Sequence, residues 1–296
     1  MENRTLTVAL LQMACSADRG DNQRHIAEQL RVAAAQNAQL VLLQELHNSL
    51  YFCQTEDPAN FDLAEAVPGP GTEQLSALAR ELELVIVASL FERRATGLYH
   101  NTAAVLDRDG SLAGRYRKMH IPDDPGYYEK FYFTPGDLGF RPIDTTIGRL
   151  GVLVCWDQWY PEAARLMALS GADLLLYPTA IGWDPRDSND EQQRQLDAWQ
   201  TIQRAHAIAN GIPVLACNRT GLERDSSAQG PGIRFWGSSF IAGPQGELLA
   251  QAAQNEPELL VARLDMQRGE QVRRLWPYLR DRRIDAYDDL SLRFRD

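Results

Sequence analysis

Four ionisable side chains in this sequence stand where apolar or strand-like runs give out, and each has a chemistry to offer. Glu45 closes LVLLQE (40–45), Lys118 follows the strand-like RYR, Cys155 all but closes LGVLVCW (150–156), and Glu129 sits in the ring-rich loop PGYYEKFYFTPGD. A carboxylate at the end of a buried strand must lie in a cleft or find a partner, because unpaired buried charge is costly. Desolvation also raises its pKa toward the neutral range in which a general base works. A cysteine at a strand-to-helix turn lies where open α/β folds hold ligands. Backbone N–H groups there favour a thiolate, and the N–H of Trp156 can face an oxyanion. Lys118, placed after a hairpin, can present a cation to that same oxygen.

Taken singly, each residue also has a structural reading. Cys155 could be a small buried hydrophobe, Glu45 an exposed strand end, and Arg115, Arg117 and Lys118 a solvated basic edge. The rings around Glu129 would equally suit a hydrophobic flap or a subunit contact. Other chemistries find less support. The five histidines (His25, His47, His100, His120, His206) make no HxH or HExxH pattern and the four cysteines no CxxC, so no metal is expected. AVPGPGTE lacks the lysine/serine pair of a phosphate loop, and WGSSF is not a GxSxG elbow.

The elements that must position these residues alternate in type. LTVALLQM (6–13) reads as a buried strand, and the segment 22–38 has Ile26, Leu30, Ala33, Ala34 and Ala38 at helical spacing. Strands are then expected at 40–45, 84–93, 150–156, 173–180 and 213–218, with helices near 72–82, from Pro161, and near 190–209. Pro161 suits the first turn of its helix. Hairpins are expected at Asp109-Gly110 and at Pro244-Gln245-Gly246. Apolar strands between amphipathic helices predict a mixed α/β fold whose sheets are covered by helices, and no linker-like segment divides the chain.

Composition narrows the partners. A net charge of −10 with no isolated lysine/arginine cluster before the C-terminus argues against nucleic acid and suits a cationic small molecule. No apolar run approaches the roughly 20 residues of a membrane span, so no membrane partner is expected. The N-terminus has no basic segment ahead of a long apolar core, and scattered cysteines suit a reducing compartment; a cytoplasmic protein is expected.

With glutamate, lysine and cysteine in that chain order, the sequence resembles the nitrilase superfamily of carbon–nitrogen hydrolases. LLQEL around Glu45, YRKMHIP around Lys118 and GVLVCWDQWYPE around Cys155 resemble the three catalytic segments of that family, and Glu129 falls where many members carry a second glutamate. The resemblance runs from VALLQM near residue 8 to LVARLDM near 266. It implies a four-layer α-β-β-α sandwich spanning 1–296 as a single domain, with 267–296 a C-terminal tail used in packing or oligomer contacts. It further implies Cys155 as nucleophile, Glu45 as base, Lys118 as oxyanion partner, Glu129 and Trp156 in support, no cofactor, and a homo-oligomer of two or more subunits.

Longer stretches (YFCQTED, KMHIPDDPGYYEKFYFTPGD, YPTAIGWDPRD, LRDRRIDAY) resemble the branch that hydrolyses a carbamoylated diamine, implying a small cationic substrate. Its ammonium needs an acid: Asp123, Asp124 and Asp187 are candidates, with Asp184, Asp190 and Glu191 nearby in sequence and Tyr127 as an aromatic wall. Helix capping or solvated loops are the structural reading of these acids. Arg186 would instead serve a carboxylate-bearing ureido acid. A thiol-containing binding or redox-sensing protein is the reading from outside enzymology.

Overall fold

The expected alternation of strands and helices builds two six-stranded sheets. The computed structural model describes residues 5–224 and 230–295, so of the expected tail only Asp296 lies outside the described residues. The first half comprises strand β1 (Thr5–Gln12), helix α1 (Arg19–Ala35), β2 (Leu40–Leu43), α2 (Pro70–Leu82), β3 (Val85–Ala95), β4 (Leu98–Leu106) and β5 (Leu112–Arg117). A short α3 (Glu129–Tyr132) leads to β6 (Ile143–Thr145), β7 (Gly148–Val152), α4 (Pro161–Leu169), β8 (Leu174–Pro178), β9 (Gly182–Trp183) and α5 (Asn189–Asn210). There follow β10 (Val214–Cys217), β11 (Thr220–Glu223), β12 (Ile233–Trp236), β13 (Phe240–Ala242), β14 (Leu248–Gln251), β15 (Glu258–Asp265) and α6 (Arg268–Leu275). Strand orders are β15-β1-β2-β3-β4-β5 and β14-β13-β10-β8-β7-β6, with a small third sheet β11-β12-β9.

Successive side chains of a strand face opposite ways, and this period of two sorts the apolar runs between two neighbours. Val8, Leu10, Leu40, Leu42, Val85 and Val87 share one core with Leu150 and Val152 of the second sheet. The residues between them, Ala9, Leu11, Val41, Leu43, Ile86 and Ala88, pack on Ile26 and Leu30 of α1 and Leu75 and Leu78 of α2. On the other side α4 and α5 press Ala163, Met167, Leu196 and Trp199 onto the second sheet. The layers therefore run helix, sheet, sheet, helix, as the resemblance implies.

Local signals set most boundaries. Asp18 caps α1 by accepting from the N–H of Asp21, which starts the helix at Arg19 rather than at the expected 22. Pro161 stands in the first turn of α4. The β4–β5 hairpin turns at Gly110, whose φ of +82° a side chain would strain and whose Cβ would meet the Ser76 carbonyl at 2.6 Å. The second hairpin joins β13 to β14 as expected.

Three strands end sooner than their apolar runs suggest. Those expected to reach Glu45, Trp156 and Ala180 stop at Leu43, Val152 and Pro178. Leu46 (φ +48°) and Cys155 (φ +44°) are left-handed, a conformation no strand accommodates. The chemistry-bearing residues thus sit on turns beyond the strands. The small third sheet and the closing strand β15, antiparallel to β1 from Thr5↔Asp265 to Gln12↔Glu258, were not foreseen. Among the described residues no helix is long and apolar enough to cross a membrane.

Leu42 is fully buried between the sheets. Leu42→Ala should cost about 2–5 kcal/mol, because the rigid sheets on either side cannot collapse onto the cavity. A lowered urea midpoint with unchanged slope checks this.

Candidate active site

Three turns at the same end of the sheets carry the predicted residues. The N–H of Glu45, just past β2, donates to the Thr179 carbonyl past β8 (3.3 Å), tying the two sheets together. The N–H of Leu46 donates to Ser89 Oγ of β3 (3.2 Å). Lys118 follows β5; its N–H donates to the Asn101 carbonyl (2.9 Å) and its carbonyl accepts from Gly136 (2.8 Å). Gly136 is obligatory there, since a Cβ would lie 2.0 Å from the Arg117 carbonyl oxygen. Arg117 fixes the strand end by a two-pronged contact with buried Glu92 (2.8 and 2.7 Å).

Cys155 opens a tight helical turn, Cys155–Trp159, which separates it from α4. Buried Asp157 holds that turn. Its Oδ2 accepts from the Val154 N–H (2.9 Å) and the Tyr116 hydroxyl (2.8 Å), and its Oδ1 accepts from the His120 N–H (3.0 Å). One carboxylate thereby joins the cysteine turn to the lysine strand. Gln158 accepts from Trp199 Nε1 (2.8 Å), fastening the turn to α5.

The side chains then converge. Lys118 Nζ donates to Glu45 Oε1 (2.8 Å) and to Glu129 Oε2 (2.6 Å), all three groups fully or almost fully buried. Asn101 Nδ2 donates to the same Glu45 Oε1 (2.7 Å), and the Tyr51 hydroxyl to Glu129 Oε1 (2.7 Å). Glu45 Oε2 has no partner. A buried carboxylate with one oxygen anchored twice and the other free is prepared to take a proton.

Burial works against the Lys118 ammonium, but the carboxylates of Glu129 and Glu45 outweigh it and hold its pKa well above the usual lysine range. Burial pushes the Glu129 carboxyl up to about 7, opposed by Lys118 and assisted by the charge of Glu45. The Cys155 thiol is pushed well up, by burial first and by Glu45 next, with Lys118 opposing. This corrects the expectation of a turn that favours thiolate: the resting group is a thiol and needs a base.

Cys155 and Glu129 open into a cavity of about 410 Å³. Tyr127, Trp156, Trp159, Ile181 and Trp236 line it with apolar surface, and Asp124, Asp184 and Asp187 bring carboxylates to it. No lysine or arginine lines it among the described residues. Of the predicted substrate contacts, Asp124, Tyr127 and Asp187 line the cavity, whereas Asp123 is exposed and outside it, as is Asp190; Glu191, half-buried, is also outside. Arg186 is also outside, exposed and paired with Asp184. Asn101, Tyr51 and Asp157 were missed; Asn101 had a faint signal, as one of three consecutive polar residues, His100 to Thr102, that lead into the apolar half of β4. Among the described residues no group of three His, Cys, Asp or Glu could hold a metal ion.

A family model described as carbon-nitrogen hydrolase matches residues 7–274. The chain belongs to that family of hydrolases. It is 45% identical to an N-carbamoylputrescine amidase of Solanum lycopersicum, over 97% of this chain and 95% of that one. It is 39% identical to a citrullinase of Francisella tularensis, over 98% of this chain and 99% of the relative. The crystal structure of a carbon-nitrogen hydrolase from Helicobacter pylori G27 superposes with a TM-score of 0.96 at 55% identity, covering 99% of this chain and 100% of that one.

The resting state of Cys155 is directly measurable in this hydrolase. The difference in thiolate ultraviolet absorbance between the protein and Cys155→Ser should be absent at neutral pH and emerge only in alkali. Glu45→Gln, which removes a neighbouring negative charge, should bring that titration to lower pH. A thiolate already present at pH 7 would contradict the geometry.

Proposed function

We propose that this protein hydrolyses N-carbamoylputrescine to putrescine, ammonia and carbon dioxide through a carbamoyl-type intermediate on Cys155. The observation that carries the substrate is the lining of the cavity: aromatic walls suit a tetramethylene chain, Asp124 and Asp187 suit its terminal ammonium while Asp184 is already paired with Arg186, and among the described residues no lysine or arginine lines it. Citrulline carries a carboxylate beside its ammonium and would bring it against Asp124 and Asp187, with no lysine or arginine among the described lining residues to pair that charge. The relatives' names support ureido hydrolysis as the reaction, and the cavity favours the amine over the amino acid.

In this mechanism the free Oε2 of Glu45 takes the Sγ proton as sulfur bonds to the ureido carbon, and the carbonyl pair moves onto oxygen. Lys118 and the N–H of Trp156 hold that oxyanion, where preorganised donors stabilise it most. The carbon–nitrogen bond breaks as Glu45 passes its proton to the leaving amine. Glu45 then takes a proton from water, whose oxygen attacks the same carbon, and the carbon–sulfur bond breaks with return of the proton to sulfur; the carbamic acid released loses carbon dioxide and frees the second amine. Two moderate barriers replace one high one. Glu129 keeps Lys118 aimed, and Asp187 or Asp124 takes the substrate ammonium.

Ammonia release should be fastest with N-carbamoylputrescine in a panel with citrulline, N-carbamoyl-β-alanine and ω-amides; a preference for the acids overturns the substrate. Cys155→Ala and Cys155→Ser should lose more than about ten-thousandfold in kcat, as expected for a nucleophile. Glu45→Gln and Lys118→Ala should each lose at least about a hundredfold. Full activity in those variants would leave only a thiol-bearing binding or sensing protein.

The pH profile carries a second signature. Glu129 is ionised above about 7 and protonated below it, and protonation removes one of the two charges that anchor Lys118. Turnover should therefore fall as pH drops through about 7, and Glu129→Gln should lower the plateau and erase that limb. A limb in the ordinary carboxylate range would remove Glu129 from this role.

We also propose a cytoplasmic homo-oligomer assembled through the tail 267–296. Trp276, Ile284, Leu290 and Phe294 are 55%, 73%, 65% and 80% exposed, a density of bare apolar surface that suits coverage by another copy. Light scattering should give a dimer or larger, and Ile284→Asp with Phe294→Asp should reduce the mass.

A further inference from the structure

We propose that the buried Arg219–Glu223 pair, which does not line the cavity, is a positioning unit that sets both the base turn at Glu45 and the carboxylate of Glu129. The inference rests on the catalytic roles proposed above. Arg219 is fully buried behind the site, on the connection from β10 to β11, with its guanidinium over the Phe235 ring at 5.5 Å. Burying an isolated guanidinium costs several kcal/mol, and an apolar residue of similar size would fill the space at less cost. What the guanidinium does explains its presence.

Its Nη2 donates to two successive carbonyls, those of Glu45 (3.0 Å) and Leu46 (2.9 Å). Consecutive carbonyls converge on one donor here because Leu46 is left-handed, a conformation that costs a side-chain-bearing residue about 1–2 kcal/mol. Arg219 thus clamps the strained turn that aims Glu45. Its Nη1 donates to Glu223 Oε1 (2.7 Å) and to the Ser49 carbonyl (2.9 Å).

Glu223 continues the path. Its Oε2 accepts from the N–H of Tyr51 (2.6 Å), whose hydroxyl donates to Glu129 Oε1 (2.7 Å). Glu129 Oε2 holds Lys118 Nζ, and Lys118 Nζ holds Glu45 Oε1. The contacts close into a ring that leaves Glu45 through its main chain and returns to it through its carboxylate. A displacement at Arg219 or Glu223 therefore reaches the base from both ends, and misplacements of about 1 Å far from the chemistry can cost a hundredfold in rate.

The variants are Glu223→Gln, Arg219→Lys and the double Arg219→Met with Glu223→Leu, which leaves no unpaired buried charge. Each, once shown to be folded by circular dichroism and unchanged native mass, should lose about ten- to hundredfold in kcat while KM stays within a few-fold, the pattern of lost alignment rather than lost binding. Tyr51→Phe should lose less, since it cuts only the Glu129 branch, and should displace the acid limb. The pH dependence of Cys155 alkylation by iodoacetamide, read by mass spectrometry, should shift in every variant and needs no substrate. Wild-type kcat and an unshifted alkylation profile in the folded double variant would overturn the proposal. If the wild type turns over nothing in the substrate panel, the proposed function fails and the alkylation profile alone decides for or against the positioning unit.

Discussion

One ammonium buried between two carboxylates is the constraint on which the site depends. Lys118 Nζ lies within hydrogen-bond reach of both Glu45 and Glu129, and none of the three side chains is more than 1% exposed. Taking any of them from water alone would cost several kcal/mol; with both carboxylates ionised they retain one net negative charge, which directed donors accommodate. Asn101 and Tyr51 are those donors, and each arrives from a different element. The sandwich is needed because no single loop could bring an acid past β2, a lysine past β5, an amide on β4 and a second acid in α3 to one point.

The strain in the backbone follows from the same demand. Leu46 and Cys155 are left-handed although neither is glycine, and both sit one step from the cluster or in it. Such conformations persist only where the surroundings over-determine them. Here the surroundings are buried ions used as braces: Arg219 across the Leu46 turn, Asp157 across the Cys155 turn. Asp157 also binds Tyr116 and His120, so the thiol and the lysine strand share one brace.

These features divide what was legible in the sequence from what was not. The period-two apolar runs located the strands, and the proline at 161 and the turns at Gly110 and Gly246 located their neighbours, because local sterics decide those. Strand ends were misread at Glu45, Trp156 and Ala180 because the apolar run continues through turns that are buried around the ion cluster and the cavity rather than within a sheet. Glu45, Lys118 and Cys155 could be named singly, yet nothing local separated a base from an exposed strand end; only their joint resemblance did. Arg219 and Tyr51 carried no local mark, since Arg219 reaches the Glu45 and Leu46 carbonyls across more than 170 residues and Tyr51 reaches Glu129 across 78 residues of chain. Asp123 was misplaced for the opposite reason: one residue of register decides whether a loop carboxylate faces a cavity or the solvent.

The acid-lined cavity and the protonated thiol answer each other. A resting thiolate at Cys155 would set a further negative charge beside Glu45 and Glu129, at the bottom of a cavity that already presents Asp124, Asp184 and Asp187. Keeping the sulfur neutral lets the cavity stay acidic enough to draw in a cation without destabilising its own floor. In the proposed mechanism the charge appears only when sulfur attacks, and it passes to the substrate oxygen beside the ammonium that both glutamates hold in place. In that mechanism the free oxygen of Glu45 serves substrate selection as well as proton transfer, because it allows the nucleophile to wait uncharged.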